Sequence, residues 1–211
     1  GEMVGEIHAP ANAVLILDRT PFYAESGGQV ADTGVISTKS ARFTVEDVQK
    51  LPDGKILHSG KLEEGMLSVS DTVSAAIDTV RRAALRRAHS SVHLLQAALR
   101  EVLGAHVEQA GSLVEPDRAR FDFTHFAAMT EEELARVERI VNEKILEGIA
   151  GRTDEMPIDE AKKLSAMALF GEKYGDIVRV VRFGDYSVEL CGGTHLDNTA
   201  KAGLFKITGE S

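Results

Sequence analysis

The sequence predicts an α+β fold, a small antiparallel β-barrel followed by a two-layer core of helices packed on an antiparallel sheet. Three observations carry that expectation. Residues 14–78 hold only short β-rich runs broken by Gly, Asp and Pro, a long amphipathic pattern begins at residue 79, and helical and strand-like segments mix beyond it. The change of texture near residue 79 divides the chain into an expected barrel at 1–78 and an expected core at 79–211.

The first part supplies "AVLILD", "GVIST", "ARFTVEDVQ", "KILHSG" and "TVSAAID" as candidate strands. After Asp78, apolar or small residues at Ala84, Leu85, Ala88, Val92, Leu95, Leu99, Val102 and Leu103 recur at helical spacing, and Gly104 closes the helix. "GSLVEPDRARFDF" reads as a hairpin around the turn "EPD". Thr130 with Glu133 forms a capping box that opens a second helix, expected to reach about Ala150. A short helix is expected from Asp159 to Met167. The strands "DIVRVVRF" and "YSVELC" then meet at the turn "GD", and "GLFKITGES" ends the chain on a strand-like run.

With 211 residues, 43% hydrophobic and 27% charged, the chain can bury a sizeable core, which excludes disorder. A net charge of −9 argues against a wholly basic nucleic-acid binder, so any RNA contact is local and no DNA partner is expected. The single cysteine, Cys191, excludes an internal disulfide and fits a reduced, cytoplasmic protein. No run of about 18 apolar residues and no export leader is found, so neither a membrane partner nor secretion is expected. Gly1 in place of an initiator methionine suggests a piece of a longer chain.

His89 and His93 stand four residues apart on the long helix, where i and i+4 side chains lie on one face about 5–6 Å apart at Cβ and can share an ion. In "CGGTH", Cys191 and His195 offer a thiolate and an imidazole across two glycines that let the backbone fold tightly. One thiolate and three imidazoles suit one tetrahedral Zn²⁺ ion rather than Mg²⁺ or Ca²⁺, which prefer oxygen. At this stage a buried inert Cys191, or a Cys191 nucleophile paired with His195, remains open. A zinc peptidase is disfavoured, since position 90 is Ser and not the Glu of H-E-x-x-H.

Three stretches, "LDRTPFYAESGGQVADTG" (17–34), "HSSVHLLQAALREVLGAHVEQAGSLVEPDRARFDFTH" (89–125) and "CGGTHLDNTAKAGLFKI" (191–207), make the chain resemble the editing domain of alanyl-tRNA synthetase and its freestanding relatives. That resemblance implies hydrolysis of the ester joining serine or glycine to tRNA(Ala). Such a step is needed because a pocket built for a methyl group cannot exclude glycine and rejects an added hydroxyl by only about 10². It further implies zinc held by His89, His93, Cys191 and His195. Gln109 and Cys191 are then the catalytic candidates, with Gln109 orienting water or the ester carbonyl and Ser112 hydrogen-bonding the substrate. Gly28 and Gln29, from "ESGGQ", and Ser90 complete the expected substrate side. The family commonly has Thr where this chain has Val92, so Ser90 or Ser91 is the available replacement hydroxyl. Arg81, Arg82, Arg86 and Arg87 either grip acceptor-end phosphates or form a solvated helix face. Two alternatives stand beside this reading, a zinc-stabilised tRNA-binding module without turnover and a freestanding trans-editing factor.

Overall fold

The computed structural model describes residues 2–164 and 175–210. The chain forms two compact units, one from residues 1–26 and 30–83 and the other from 27–29 and 84–211.

The first unit contains seven strands: β1 (Glu6–His8), β2 (Ala11–Ile16), β3 (Gly34–Ser37), β4 (Arg42–Lys50), β5 (Ile56–Glu64), β6 (Met66–Ser68) and β7 (Ser74–Ile77). Five of them form an antiparallel sheet in the order β2-β5-β4-β3-β7, and β1 pairs with β6. The expected barrel is therefore an open sheet. Among the described residues β2 and β7 remain its two edges, because the three-residue strands β1 and β6 spend their hydrogen bonds on each other. Strand β4 shows how the sequence fills the sheet's core. Phe43 and Val45 point inward by the two-residue period, and an irregularity between Val45 and Asp47 resets it so that Val48 also points inward.

His58 is fully buried in this sheet, with Nδ1 3.0 Å from the Leu15 carbonyl and Nε2 2.7 Å from Thr20 Oγ1. A neutral ring satisfies both, donating from Nδ1 and accepting the Thr20 hydroxyl at Nε2. Burial pushes the His58 pKa down, partly opposed by the Leu15 bond. The folded unit thus binds the proton more weakly than the unfolded chain, whose histidine titrates near 6.5. The resulting stabilisation is complete above pH about 6.5 and fades as pH falls towards the lowered folded value. Urea midpoints measured at pH 7 and pH 5 are expected to drop more for the wild type than for His58→Gln. Equal drops would contradict the assignment.

Helix α1 (Thr79–Leu103) begins in the first unit, where Asp78 Oδ1 caps the amides of Val80 and Arg81 at 2.9 Å each. It continues through the second unit and stops at Gly104, whose φ of +118° suits only glycine well. Next come the hairpin β8 (Gln109–Val114) and β9 (Ala119–Phe123), then helix α2 (Glu131–Leu146). Thr130 caps α2 with the complete reciprocal box to Glu133. The helix ends before the expected Ala150, because Gly148 turns the chain at φ +65°.

A three-stranded antiparallel sheet follows, β10 (Gly151–Pro157), β11 (Ile177–Phe183) and β12 (Ser187–Leu190), with α3 (Ile158–Lys163) after β10. The last part of the expected short helix, up to Met167, lies outside the described residues. Strand β10 was not legible in sequence, since it is a mostly exposed edge without apolar alternation. The C-terminal run forms no strand among the described residues. Helix side chains take the place of a neighbouring strand: Asn142 holds Phe205 at N (3.0 Å) and O (2.9 Å), and Glu138 accepts the Ile207 amide at 2.8 Å. Leu94, Ala98 and Leu99 of α1, Val137 and Val141 of α2, and Val181 and Phe183 of β11 form one core, which is the expected packing of helices on a sheet.

Candidate metal centre

The buried stripe of α1 carries His89 (4% exposed) and His93 (2%) into the interior of the second unit. Strand β12 alternates Ser187 and Glu189 inward and runs straight into Cys191, and the "GGT" turn swings His195 (7%) back to the same point. One donor atom from each of His89, His93, Cys191 and His195 lies within 4.8 Å of the others. Cys191 Sγ is 3.5 Å from His89 Nε2 and 3.2 Å from His195 Nε2, and the His195 ring centroid is 4.4 Å from that of His89 and 4.6 Å from that of His93.

Zinc bonds of about 2.3 Å to sulfur and 2.0–2.1 Å to nitrogen, at a tetrahedral angle, separate the two donors by about 3.5 Å. The Cys191 sulfur lies at 3.5 and 3.2 Å from the His89 and His195 nitrogens, which matches that spacing. The protonation pattern also fits. Burial alone would push the Cys191 thiol up, but hydrogen bonds with His195, His89 and His93 outweigh it and hold the thiol well below its ordinary value. Burial pushes His195 down to about 3, so its ring is neutral. Burial also disfavours a charged His93, but the facing Glu189 carboxylate and the Cys191 sulfur raise it to about 10, making its proton the one an arriving cation displaces. A thiolate with three imidazoles is the donor chemistry of zinc.

The backbone around the centre is fixed by arginines. Arg179 Nη1 donates to the carbonyls of Cys191 (3.0 Å) and Gly193, and Arg86 Nε donates to that of His195. The Gly193 amide points at Cys191 Sγ at 3.4 Å. A side chain at Gly193 would run into the His89 ring, which explains the second glycine of "CGGTH".

The remaining expected residues fall around this frame. Gln109 Nε2 donates to Ser112 Oγ at 3.1 Å on β8. Gly28, at φ +79°, lies so close to Ser112 that a Cβ there would meet its side chain and backbone, and its carbonyl accepts the Val114 amide at 2.7 Å. Gln29 is fully buried, and its amide group faces His89 and Thr194. Ser90 Oγ accepts the Leu196 amide at 2.9 Å and so ties α1 to the segment after His195. Ser91 donates to the Arg87 carbonyl at 2.9 Å, and Val92 is buried. In the first unit, Arg81 donates to the Ala31 carbonyl and Arg82 pairs with buried Asp32. Of the four arginines Arg87 alone is exposed.

Sequence reasoning did not find Glu189, Thr194 or Arg179. The available signal for Glu189 was its place in the 187-189-191 inward alternation of "YSVELC", where a carboxylate needs a partner.

The geometry and the comparisons converge on a class. The family model described as "Threonyl and Alanyl tRNA synthetase second additional domain" matches residues 178–211, which contain Cys191 and His195, and that of "tRNA synthetases class II (A)" matches residues 1–81. The chain is 61% identical over 210 residues to an alanine–tRNA ligase of Acetivibrio thermocellus, covering 100% of this chain and 24% of that protein. Alanine–tRNA ligases of Listeria monocytogenes (57%, 99% of this chain) and Bacillus cytotoxicus (54%, 100%) are similar, again over 24% of their length. The chain is similar over its whole length to alanine–tRNA ligases and spans about a quarter of the length of these curated relatives.

Proposed function

We propose that this chain hydrolyses the ester that joins serine or glycine to tRNA(Ala), and that it does so as the editing part of a longer synthetase. In this reading residues 79–211 are the deacylase core, with one Zn²⁺ held by His89, His93, Cys191 and His195, and residues 1–78 are an accessory β unit. The convergence of those four side chains in the second unit is the observation that carries it.

An aminoacyl ester is already labile, so the site must hold it, direct a water and stabilise the developing oxyanion. Bound zinc supplies Lewis-acid polarisation or an anchoring charge for the substrate. Gln109 and Ser112 share one hydrogen bond on β8, so the Gln109 amide has further capacity to orient water or the ester carbonyl, and the Ser112 hydroxyl to meet the amino acid. Gly28, against Ser112, keeps the backbone close to that point. Cys191 serves the site as a metal ligand. Ser91 donates its hydroxyl to the Arg87 carbonyl, whereas Ser90 Oγ accepts the Leu196 amide and keeps its own O–H for donation, so Ser90 is the better replacement for the family's Thr. For phosphate contact, exposed Arg87 is the candidate, because Arg82 is engaged by Asp32 and Arg86 by His195.

One observation favours the second reading, a tRNA-binding module without turnover. Four protein donors complete a tetrahedral ion, as in structural zinc sites. Single-turnover hydrolysis of seryl-, glycyl- and alanyl-tRNA(Ala), with and without a chelator, separates the two. Serine and glycine release that is lost on chelation is expected, and binding without release would establish the module instead.

Val92 is buried, so Val92→Thr adds a hydroxyl to the interior at nearly constant shape. A well-placed hydroxyl that pairs with the serine side chain is expected to raise the seryl-to-alanyl cleavage ratio by roughly tenfold, about one neutral hydrogen bond. An unchanged ratio would remove position 92 from amino acid selection.

A further inference from the structure

Both helical histidines have a side chain behind their second ring nitrogen, a hydrogen-bonded amide at His89 and an ion-paired carboxylate at His93. His89 Nδ1 is 2.8 Å from Gln29 Oε1, and His93 Nδ1 is 3.1 Å from Glu189 Oε2. Gln29 is fully buried and Glu189 is 5% exposed. Gln29 Oε1 also accepts the Thr194 amide at 2.9 Å, and its Nε2 donates to Thr194 Oγ1 at 3.0 Å, so both ends of the amide are engaged. Glu189 Oε1 accepts the Ser187 hydroxyl at 2.8 Å, leaving Oε2 to His93.

Resting on the zinc reading above, we propose that Gln29 and Glu189 are positioning residues of the metal centre, each accepting the Nδ1–H of one helical histidine so that both Nε2 lone pairs turn inward. The neutral imidazole has one N–H and one lone pair, and an acceptor at Nδ1 fixes the tautomer that offers Nε2. Outer partners of this kind orient the ring and raise its basicity towards the ion. Gln29 has a second effect, because it grips His89 and Thr194 together and so joins α1 to the "CGGTH" turn from a segment 60 residues away. The charges differ for a reason. Thiolate and Glu189 together offset a dication, and a second buried carboxylate at position 29 would leave the centre negative without a partner.

Cobalt(II) reports the test, since its thiolate charge-transfer band appears only on a bound Cys191. Competition with a chelator is expected to show affinity reduced by about 10–100-fold in Gln29→Ala and in Glu189→Gln. Wild-type affinity in both variants would overturn the proposal. Should a variant fail to fold, long-range ¹H–¹⁵N spectra of the metal-loaded wild type decide it. Protons on Nδ1 of His89 and His93 are expected, and a metal bound at either Nδ1 would overturn the proposal. A wild type that binds no cobalt would instead sink the metal reading itself, a result distinct from tight binding with indifferent variants.

Discussion

Cys191→Ala is expected to abolish both stable metal binding and ester hydrolysis while leaving the protein folded. Cys191 is the only thiolate in the set, and its sulfur touches two imidazole nitrogens at 3.2 and 3.5 Å. Losing it removes a direct bond and one of the negative charges that offset the cation. The loss of metal affinity should therefore exceed the roughly 100-fold upper range for an outer hydrogen-bond partner. Without the thiolate, His89, His93 and His195 are a buried imidazole cluster whose remaining counter-charge is the Glu189 carboxylate at His93. Metal content by mass spectrometry and single-turnover seryl-tRNA hydrolysis measure the two effects. Full zinc occupancy with undiminished hydrolysis in Cys191→Ala would contradict the assignment. His93→Ala offers a second route to the same loss, with the added cost of leaving Glu189 buried and unpaired.

Arg82→Ala carries the second large effect, on stability. The Asp32 side chain is 1% exposed and that of Arg82 22%. Asp32 accepts Arg82 Nε at 2.9 and 3.1 Å and the Tyr23 amide at 2.7 Å, and the Arg82 guanidinium also reaches the Pro21 carbonyl at 3.1 Å. Removing the arginine leaves a buried carboxylate without its cation, which typically costs about 3–5 kcal/mol. That is a large share of the 5–15 kcal/mol that holds a typical domain together. Urea denaturation should show it. The exposed neighbour Arg87 is the control, because Arg87→Ala is expected to shift stability by less than about 0.5 kcal/mol. If Arg87 contacts a phosphate, that substitution flattens the salt dependence of tRNA binding by about one unit of slope. A stable Arg82→Ala would show that Asp32 finds water or another donor.

The four side chains that meet in the candidate metal centre could be read from sequence because their spacing is local. An i,i+4 histidine pair on a helical pattern and a Cys-Gly-Gly-Thr-His turn each restrict where their side chains can point. The cap at Thr130 and the stop at Gly104 were legible for the same reason, since each involves residues close in sequence. What could not be read was set by distant pairing. Nothing near Gln29 states that its amide meets His89 and Thr194, and nothing near Arg86 states that its Nε reaches the His195 carbonyl. The sheet of the first unit stayed open because three-residue strands chose each other, a matter of register that composition does not encode. The C-terminal run looked like a strand because Leu204, Phe205 and Ile207 are strand-forming residues, yet Asn142 and Glu138 supply its partners from a helix.

X-ray absorption at the zinc edge of the purified protein tests the central claim most directly. One zinc per chain is expected, with one sulfur near 2.3 Å and three imidazole nitrogens near 2.0–2.1 Å. A zinc-loaded protein whose first coordination shell lacks sulfur, or a protein that takes up no zinc at all, would contradict it.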